Sequence, residues 1–212
     1  MKVTQINRNR YMPAEIDFYF DFSSSYSYVA VPGVVKLAKE HDVLVNWKPF
    51  LLGVIFHALE HAPPKAGSGK MRYAQRDLER CAAAAGQPPF VLPEPFPFNG
   101  ITASRAFWHL HDDDAGKAVD WARAVFSASF AEGRDCSSPD VLADIATGLG
   151  LDAQQLLEAA ATDAVKAKLK VVTGEAMERG VFGAPTFFVG DEMFWGGDRL
   201  AHVEQLISKS QA

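Results

Sequence analysis

The sequence predicts an α/β fold: one small sheet drawn from the two ends of the chain, with a large all-helical insertion between them. Three observations carry this. Aromatic and β-branched runs gather before residue 50 and return only after residue 180. The stretch between them has helical periodicity and no strand-like run. The chain also opens in the order β-α-β, which favours a parallel pair joined by a right-handed crossover.

The elements follow in order. Ile16 to Phe22 (IDFYFDF) reads as a strand whose aromatic run is broken by Asp17 and Asp21. Ser23-Ser24-Ser25 comes next, and a serine oxygen caps a helix by accepting a free backbone N–H. Tyr28, Val31, Val34 (or Val35) and Ala38 then recur at helical spacing within Tyr26 to His41, where Pro32 marks a kink or a late start. Val43 to Lys48 alternates as a second strand. Phe56 to Glu60 predicts a short helix, Ala62 to Lys70 a loop, and Met71 to Ala85 a helix ended by Gly86. Gln87 to Asn99 carries five prolines and is expected to be irregular but packed. Thr102 to Leu110, Ala115 to Ala131, Ser138 to Gly148 and Asp152 to Arg179 read as helices. Thr186 to Val189 and Glu192 to Trp195 form a hairpin across Gly190-Asp191, and Arg199 to Ser208 closes the chain as a helix. Residues 16–52 and 180–212 then make the sheet domain, 53–179 a helical subdomain, and 1–15 a polar arm outside the fold.

Composition narrows the function. A net charge of -5 argues against a general nucleic-acid binder, which needs a basic surface to displace counterions. No run of about 18 apolar residues is present to span a membrane, and the first residues lack the apolar core of a secretory signal. Two distant cysteines, Cys81 and Cys136, make neither a disulfide framework nor a zinc pattern, so a reducing cytoplasm is expected. His57 and His61 are four apart, but no acid or cysteine completes a ligand set, and no metal is expected.

The element order is that of a thioredoxin-like fold. Such folds place their chemistry where the first strand meets the first helix, usually as C-x-x-C. Here that place reads Ser24-Ser25-Tyr26-Ser27, which excludes dithiol exchange at the site. A serine hydroxyl there caps the helix, or donates to a bound thiolate with help from the positive end of the helix. Two further segments bear on the choice. Gly183-Ala184-Pro185-Thr186 precedes the third strand, where a cis proline is expected and Ala184 offers its backbone to an extended peptide. Phe194 to Arg199 (FWGGDR) enters the last helix, its two glycines letting a ligand approach and Asp198 available to an amino group.

FDFSSSYSYVAVPGVVKLA, WKPFLLGVIF, RYAQRDLERCAAAAGQPPFVLPEPFPFNGITASR and GVFGAPTFFVGDEMFWGGDRL together resemble the 2-hydroxychromene-2-carboxylate isomerases and the kappa-class glutathione transferases, a DsbA-like family. The resemblance runs from about Ile16 to Ile207. It implies glutathione as cofactor, a homodimer, a small aromatic substrate, and a place in aromatic hydrocarbon catabolism such as naphthalene degradation. It makes Ser24 the residue acting on the glutathione sulfur. Ala184, Trp195, Gly196, Gly197, Asp198 and Arg199 then fall at the glutathione site, and Ile55, Phe56 and Asn99 on the second-substrate side. The family usually has Ser-Pro-Tyr at the active turn, and this chain has Ser24-Ser25-Tyr26, which implies a looser turn. The implied reaction is glutathione-dependent isomerisation of 2-hydroxychromene-2-carboxylate to trans-o-hydroxybenzylidenepyruvate by reversible thiolate addition. A kappa-type transferase and a non-catalytic DsbA-like glutathione-binding protein are the alternatives.

Overall fold

The aromatic run at the start of the chain becomes the centre of the sheet. A computed structural model describes residues 15–211; apart from Glu15, the polar arm lies outside the described residues. Strand β1 (Glu15–Phe20) pairs in parallel with β2 (Leu44–Pro49) and antiparallel with β3 (Thr186–Val189). β3 continues into β4 (Glu192–Trp195), giving the order β2-β1-β3-β4. Because strand side chains alternate, Phe18 and Phe20 share one face of β1. There they meet Trp47 and Phe187, with ring centroids 5.1 to 5.7 Å apart. Burying a ring of this size contributes about 1.5–3 kcal/mol. On the other face Tyr19 packs against Phe50 and Phe188.

The crossover is α1 (Ser25–His41), which continues past Pro32. Proline cannot donate to the carbonyl four residues back, so Tyr28 O is left without its helical partner. Gln87 Nε2 donates to it at 3.1 Å and so replaces the missing partner. Helices α2 (Leu52–Ala58), α3 (Gly69–Ala84), α4 (Ile101–Asp113), α5 (Ala115–Phe130), α6 (Pro139–Gly148), α7 (Ala153–Ala160) and α8 (Asp163–Glu178) follow without an intervening strand. Phe20 joins the sheet to this block through Phe107 of α4 and Phe126 of α5. Trp108 and Trp121 are core residues, and each indole N–H donates to a carbonyl, Pro49 O and Ala103 O respectively, at 3.0 Å. A short 3-10 turn (Gly197–Arg199) then leads into α9 (Leu200–Gln211). α9 packs close to α1 at Gly33, where an added Cβ would stand 2.7 Å from Leu200 Cδ1.

Four of the boundaries that differ from expectation do so for a local reason. β1 ends at Phe20 because Asp21 begins the active turn. α2 starts at Leu52 because the Asp21 carboxylate accepts its first N–H. The long helix expected over 152–179 is two helices: Thr162 is extended, its hydroxyl donates to Ala159 O, and Asp163 opens a new first turn. The closing helix begins at Leu200 after the 3-10 turn. Arg179, at the end of α8, ties the helical block to the sheet: it donates to Asp17 Oδ2 at 2.5 Å and Gly190 O at 2.9 Å, and its guanidinium lies 3.6 Å from the Phe188 ring centre.

Candidate active site

The site is organised by one turn, residues 21–24, between β1 and α1. Asp21 is 7% exposed and its carboxylate is saturated with donors. Oδ1 accepts from Ser23 N and Ser23 Oγ, both at 2.7 Å, and Oδ2 accepts from Leu52 N at 2.8 Å. Its backbone carbonyl takes Ser24 N at 2.9 Å. Burial pushes the Asp21 carboxyl above its ordinary pKa, while the bonds from Ser23 and Leu52 pull the other way.

Ser24 caps α1. Its Oγ accepts from Ser27 N at 3.2 Å and donates to Ala184 O at 3.0 Å. No acidic residue sits in the first turn of α1 to cancel the positive helix end. Ser27, at the second position of the would-be cysteine pair, is fully buried, and its hydroxyl has no partner among the described residues.

Three segments converge on this turn. The first is Gly183 to Thr186, with a cis Ala184-Pro185 bond as expected. Among the described residues the Ala184 N–H donates to nothing. The second is the Trp195 to Arg199 run. Gly196 N donates to Pro185 O at 2.9 Å, and a Cβ on Gly197 would lie 3.0 Å from Ala30 Cβ on α1. Trp195 is 54% exposed and packs edge-on against Phe182, with centroids 4.9 Å apart. Its indole crosses Gly183 so closely that a Cβ there would stand 2.3 Å from Nε1. Asp198 is exposed and pairs loosely with Arg199 at 3.5 Å. The third comprises α2 and the entry to α4, where an added Cβ on Gly100 would stand 3.1 Å from Phe22 Cβ and 3.7 Å from Ser23 N. Asn99, just before it, is exposed and caps Ile101 N through Oδ1 at 3.0 Å.

The candidate glutathione residues Ser24, Ala184, Gly196 and Gly197 are thus brought together by hydrogen bonds and close packing. The candidate substrate residues divide. Phe56 keeps part of its ring at the surface, but Ile55 is 1% exposed and its side chain belongs to the core. Reading the sequence missed Asp21 as part of the site. Its signal was there: an acid at the end of an aromatic strand, immediately before three serines. It also missed Tyr26, whose hydroxyl donates to Asp77 Oδ2 at 3.3 Å; burial and then the Asp77 charge push its pKa up to about 12. Cys81 on α3 and the buried Cys136 are both free thiols, raised in pKa chiefly by burial, so neither is an activated nucleophile.

A two-sided turn of this kind, a capped helix mouth facing a cis-proline loop, defines the thioredoxin class of sites. The model of the DSBA-like thioredoxin domain matches residues 15–208. The chain is 30% identical over 196 residues to a 2-hydroxychromene-2-carboxylate isomerase of Pseudomonas putida, covering 92% of this chain and 94% of that one. The solved structure of a 2-hydroxychromene-2-carboxylate isomerase superposes with a TM-score of 0.83 at 30% identity, covering 92% of this chain and 95% of that one. A kappa 2 glutathione S-transferase of Caenorhabditis elegans is 26% identical, covering 92% of each chain. The chain therefore belongs to the DSBA-like thioredoxin-domain family, together with the 2-hydroxychromene-2-carboxylate isomerases it resembles.

Proposed function

We propose that the protein is a glutathione-dependent 2-hydroxychromene-2-carboxylate isomerase that forms trans-o-hydroxybenzylidenepyruvate. The observation that carries this reading is the Ser24 hydroxyl at the mouth of α1, held 3.0 Å from Ala184 O. The residues present suit glutathione: an unengaged Ala184 N–H, a carbonyl on the same residue, and two glycines that let the Trp195 to Arg199 run pack closely against Asp198 and Ala30 beside them. When bound, glutathione supplies a thiolate that adds to a conjugated carbon and later leaves, so the former double bond can rotate.

The chain's own part is to hold a sulfur anion and place it. Ser24 Oγ turns its hydrogen from Ala184 O to the sulfur, while its lone pair keeps Ser27 N–H. Ala184 O, so released, accepts from the backbone of the tripeptide, and Ala184 N–H donates to it, in the manner of strand addition. The first amides of α1 add a positive field at the same point. Asp198 receives the tripeptide's amino group, and Trp195 and Arg199 border it. Phe56 and Asn99 face the aromatic substrate. Asp21 holds the turn rigid beneath Ser24.

Under this reading the protein works as a cytoplasmic homodimer in aromatic hydrocarbon catabolism, naphthalene degradation included. Among the described residues no helix is long and apolar enough to cross a membrane, which agrees with it. Ser24→Ala removes one charge-assisted hydrogen bond, about 1.5–3 kcal/mol, so turnover at saturating glutathione should fall roughly ten- to hundredfold. An unchanged rate refutes the role of Ser24. The kinship with kappa-class transferases makes chlorodinitrobenzene conjugation the assay to run beside it: faster conjugation than isomerisation assigns the protein to that class instead.

A further inference from the structure

One side of α8 is packed and the other is bare. Val165, Leu169, Val172 and Ala176 make its buried side. On the opposite side Ala167, Lys170, Val171, Gly174, Met177 and Glu178 fall in one stripe at 3.6 residues per turn. Among the described residues nothing covers that stripe: Val171 is 57% exposed and Met177 41%. Gly174 lies between them. No atom stands within 4 Å of the Cβ it would carry, and its backbone is ordinary helix. Neither crowding nor a left-handed φ calls for glycine here, although only proline weakens a helix interior more. What glycine does supply is room for another backbone to come close. The stripe also carries unspent charge. Lys166 and Lys168 of the same helix are taken up by Asp163 and Asp112. Lys170 and Glu178 are exposed, and neither forms an ion pair among the described residues.

The stripe is balanced about Gly174. Val171 and Met177 stand three positions to either side of it, and Lys170 and Glu178 stand four. A second copy of the helix, turned over by a two-fold axis through Gly174, sets the valine of each copy against the methionine of the other. It sets each lysine against a glutamate as well. We infer that α8 is the contact surface of a two-fold symmetric dimer of this chain, its helices crossing antiparallel at Gly174. A two-fold contact joins the same patch on both subunits, so the patch must be complementary to itself. A stripe of one sign, or one apolar at a single end, would suit some other partner; this one is charged oppositely at its two ends and apolar between. The inference rests on the homodimer of the proposed function and gives it a surface, and it uses nothing of the Ser24 chemistry.

Sedimentation equilibrium of the full chain across a micromolar dilution series tests this. Wild type should show twice the chain mass at the top of the series and dissociate on dilution, since one helix crossing covers less than the roughly 1,200–2,000 Å² of a standard interface. Gly174→Arg is a better helix former that sets two guanidinium groups face to face on the axis. It should weaken association by roughly a hundredfold or more, while the monomer resists urea at least as well as monomeric wild type. Lys170→Glu and Glu178→Lys should each weaken association roughly tenfold, and the two together in one chain should restore it. That rescue cannot arise within one subunit, where the two positions are more than two helical turns apart. A wild type that is monomeric throughout overturns the inference and the homodimer with it. A dimer that Gly174→Arg leaves intact, or that the double charge swap does not restore, overturns the α8 surface alone. Loss of urea resistance in monomeric Gly174→Arg overturns it too, because the face is then covered from within the chain. The glutathione reading is scored separately, by turnover of Ser24→Ala.

Discussion

Asp21→Asn changes one acceptor into a donor and leaves the shape of the side chain. The native carboxylate takes three protein donors, two from Ser23 and one from Leu52. Asparagine has a single oxygen. Turned toward Ser23, it keeps two of those bonds and sets its amide hydrogens against the Leu52 N–H; turned the other way, it loses both Ser23 bonds. The better choice still forfeits one charge-assisted bond, about 1.5–3 kcal/mol, and leaves a buried donor facing a donor. Against this stands relief from burying a charge, the cause that raises the Asp21 pKa. The net expectation is a loss of about 2 kcal/mol in urea unfolding followed by tryptophan fluorescence. The pH dependence has a definite sign. The folded pKa lies above the ordinary 3.8, so this group's stabilising contribution is complete below that value and declines as pH rises through the folded pKa. The asparagine variant lacks that slope, and its deficit against wild type therefore shrinks from acid toward neutral pH. Turnover should fall as well, because the peptide before Ser24 loses its anchor. Equal stability at every pH refutes Asp21 as the anchor of the turn, and a deficit that grows with pH refutes the reading that burial outweighs the bonds from Ser23 and Leu52.

Gly183→Ala forces the Trp195 indole away from a Cβ that would stand 2.3 Å from Nε1. Because Trp195 is largely exposed, unfolding free energy should change by less than about 1 kcal/mol while the calorimetric affinity for glutathione drops severalfold. Gln87→Leu strips Tyr28 O of the donor that replaces Pro32's missing N–H, and should cost about 1–3 kcal/mol in urea unfolding. Burial raises the Asp17 carboxyl, but hydrogen bonds from Arg179 and Lys48 outweigh it and hold the pKa below 3.8. Its stabilising contribution is present above the unfolded value and is lost as pH falls through the folded one. Arg179→Met should therefore move the midpoint of acid unfolding to higher pH; an unmoved midpoint counts against the Asp17-Arg179 pair as a strut between sheet and helices.

The sheet was legible because its signals are local. IDFYFDF, VLVNWK and the Gly190-Asp191 turn each state their own conformation, and the structure assembles them in the expected order. The break at Thr162 was harder to see, since Ala159 to Asp163 keeps helical composition and only the Thr-Asp pair announces a new start. The site showed the same division. Ser24 and the Ala184-Pro185 peptide stand out at fixed places in the element order. Ile55 did not betray its burial, because α2 is too short for periodicity to tell its inner face from its outer one. Asp21 was read as an interruption of a strand. Its function rests on Leu52, thirty-one positions away, and no spacing rule reaches that far.

The paired serines of the active turn carry a consequence for where and when the protein can operate. A dithiol at Ser24 and Ser27 would oxidise, form mixed disulfides and follow the redox poise of its surroundings. Hydroxyls do none of these things. Peroxide or disulfide stress should leave this turn chemically untouched, and the two thiols the chain does possess are shielded or raised in pKa. Under the glutathione reading, the oxidisable sulfur of the site is a diffusible thiol, which the cell can replace without making new protein.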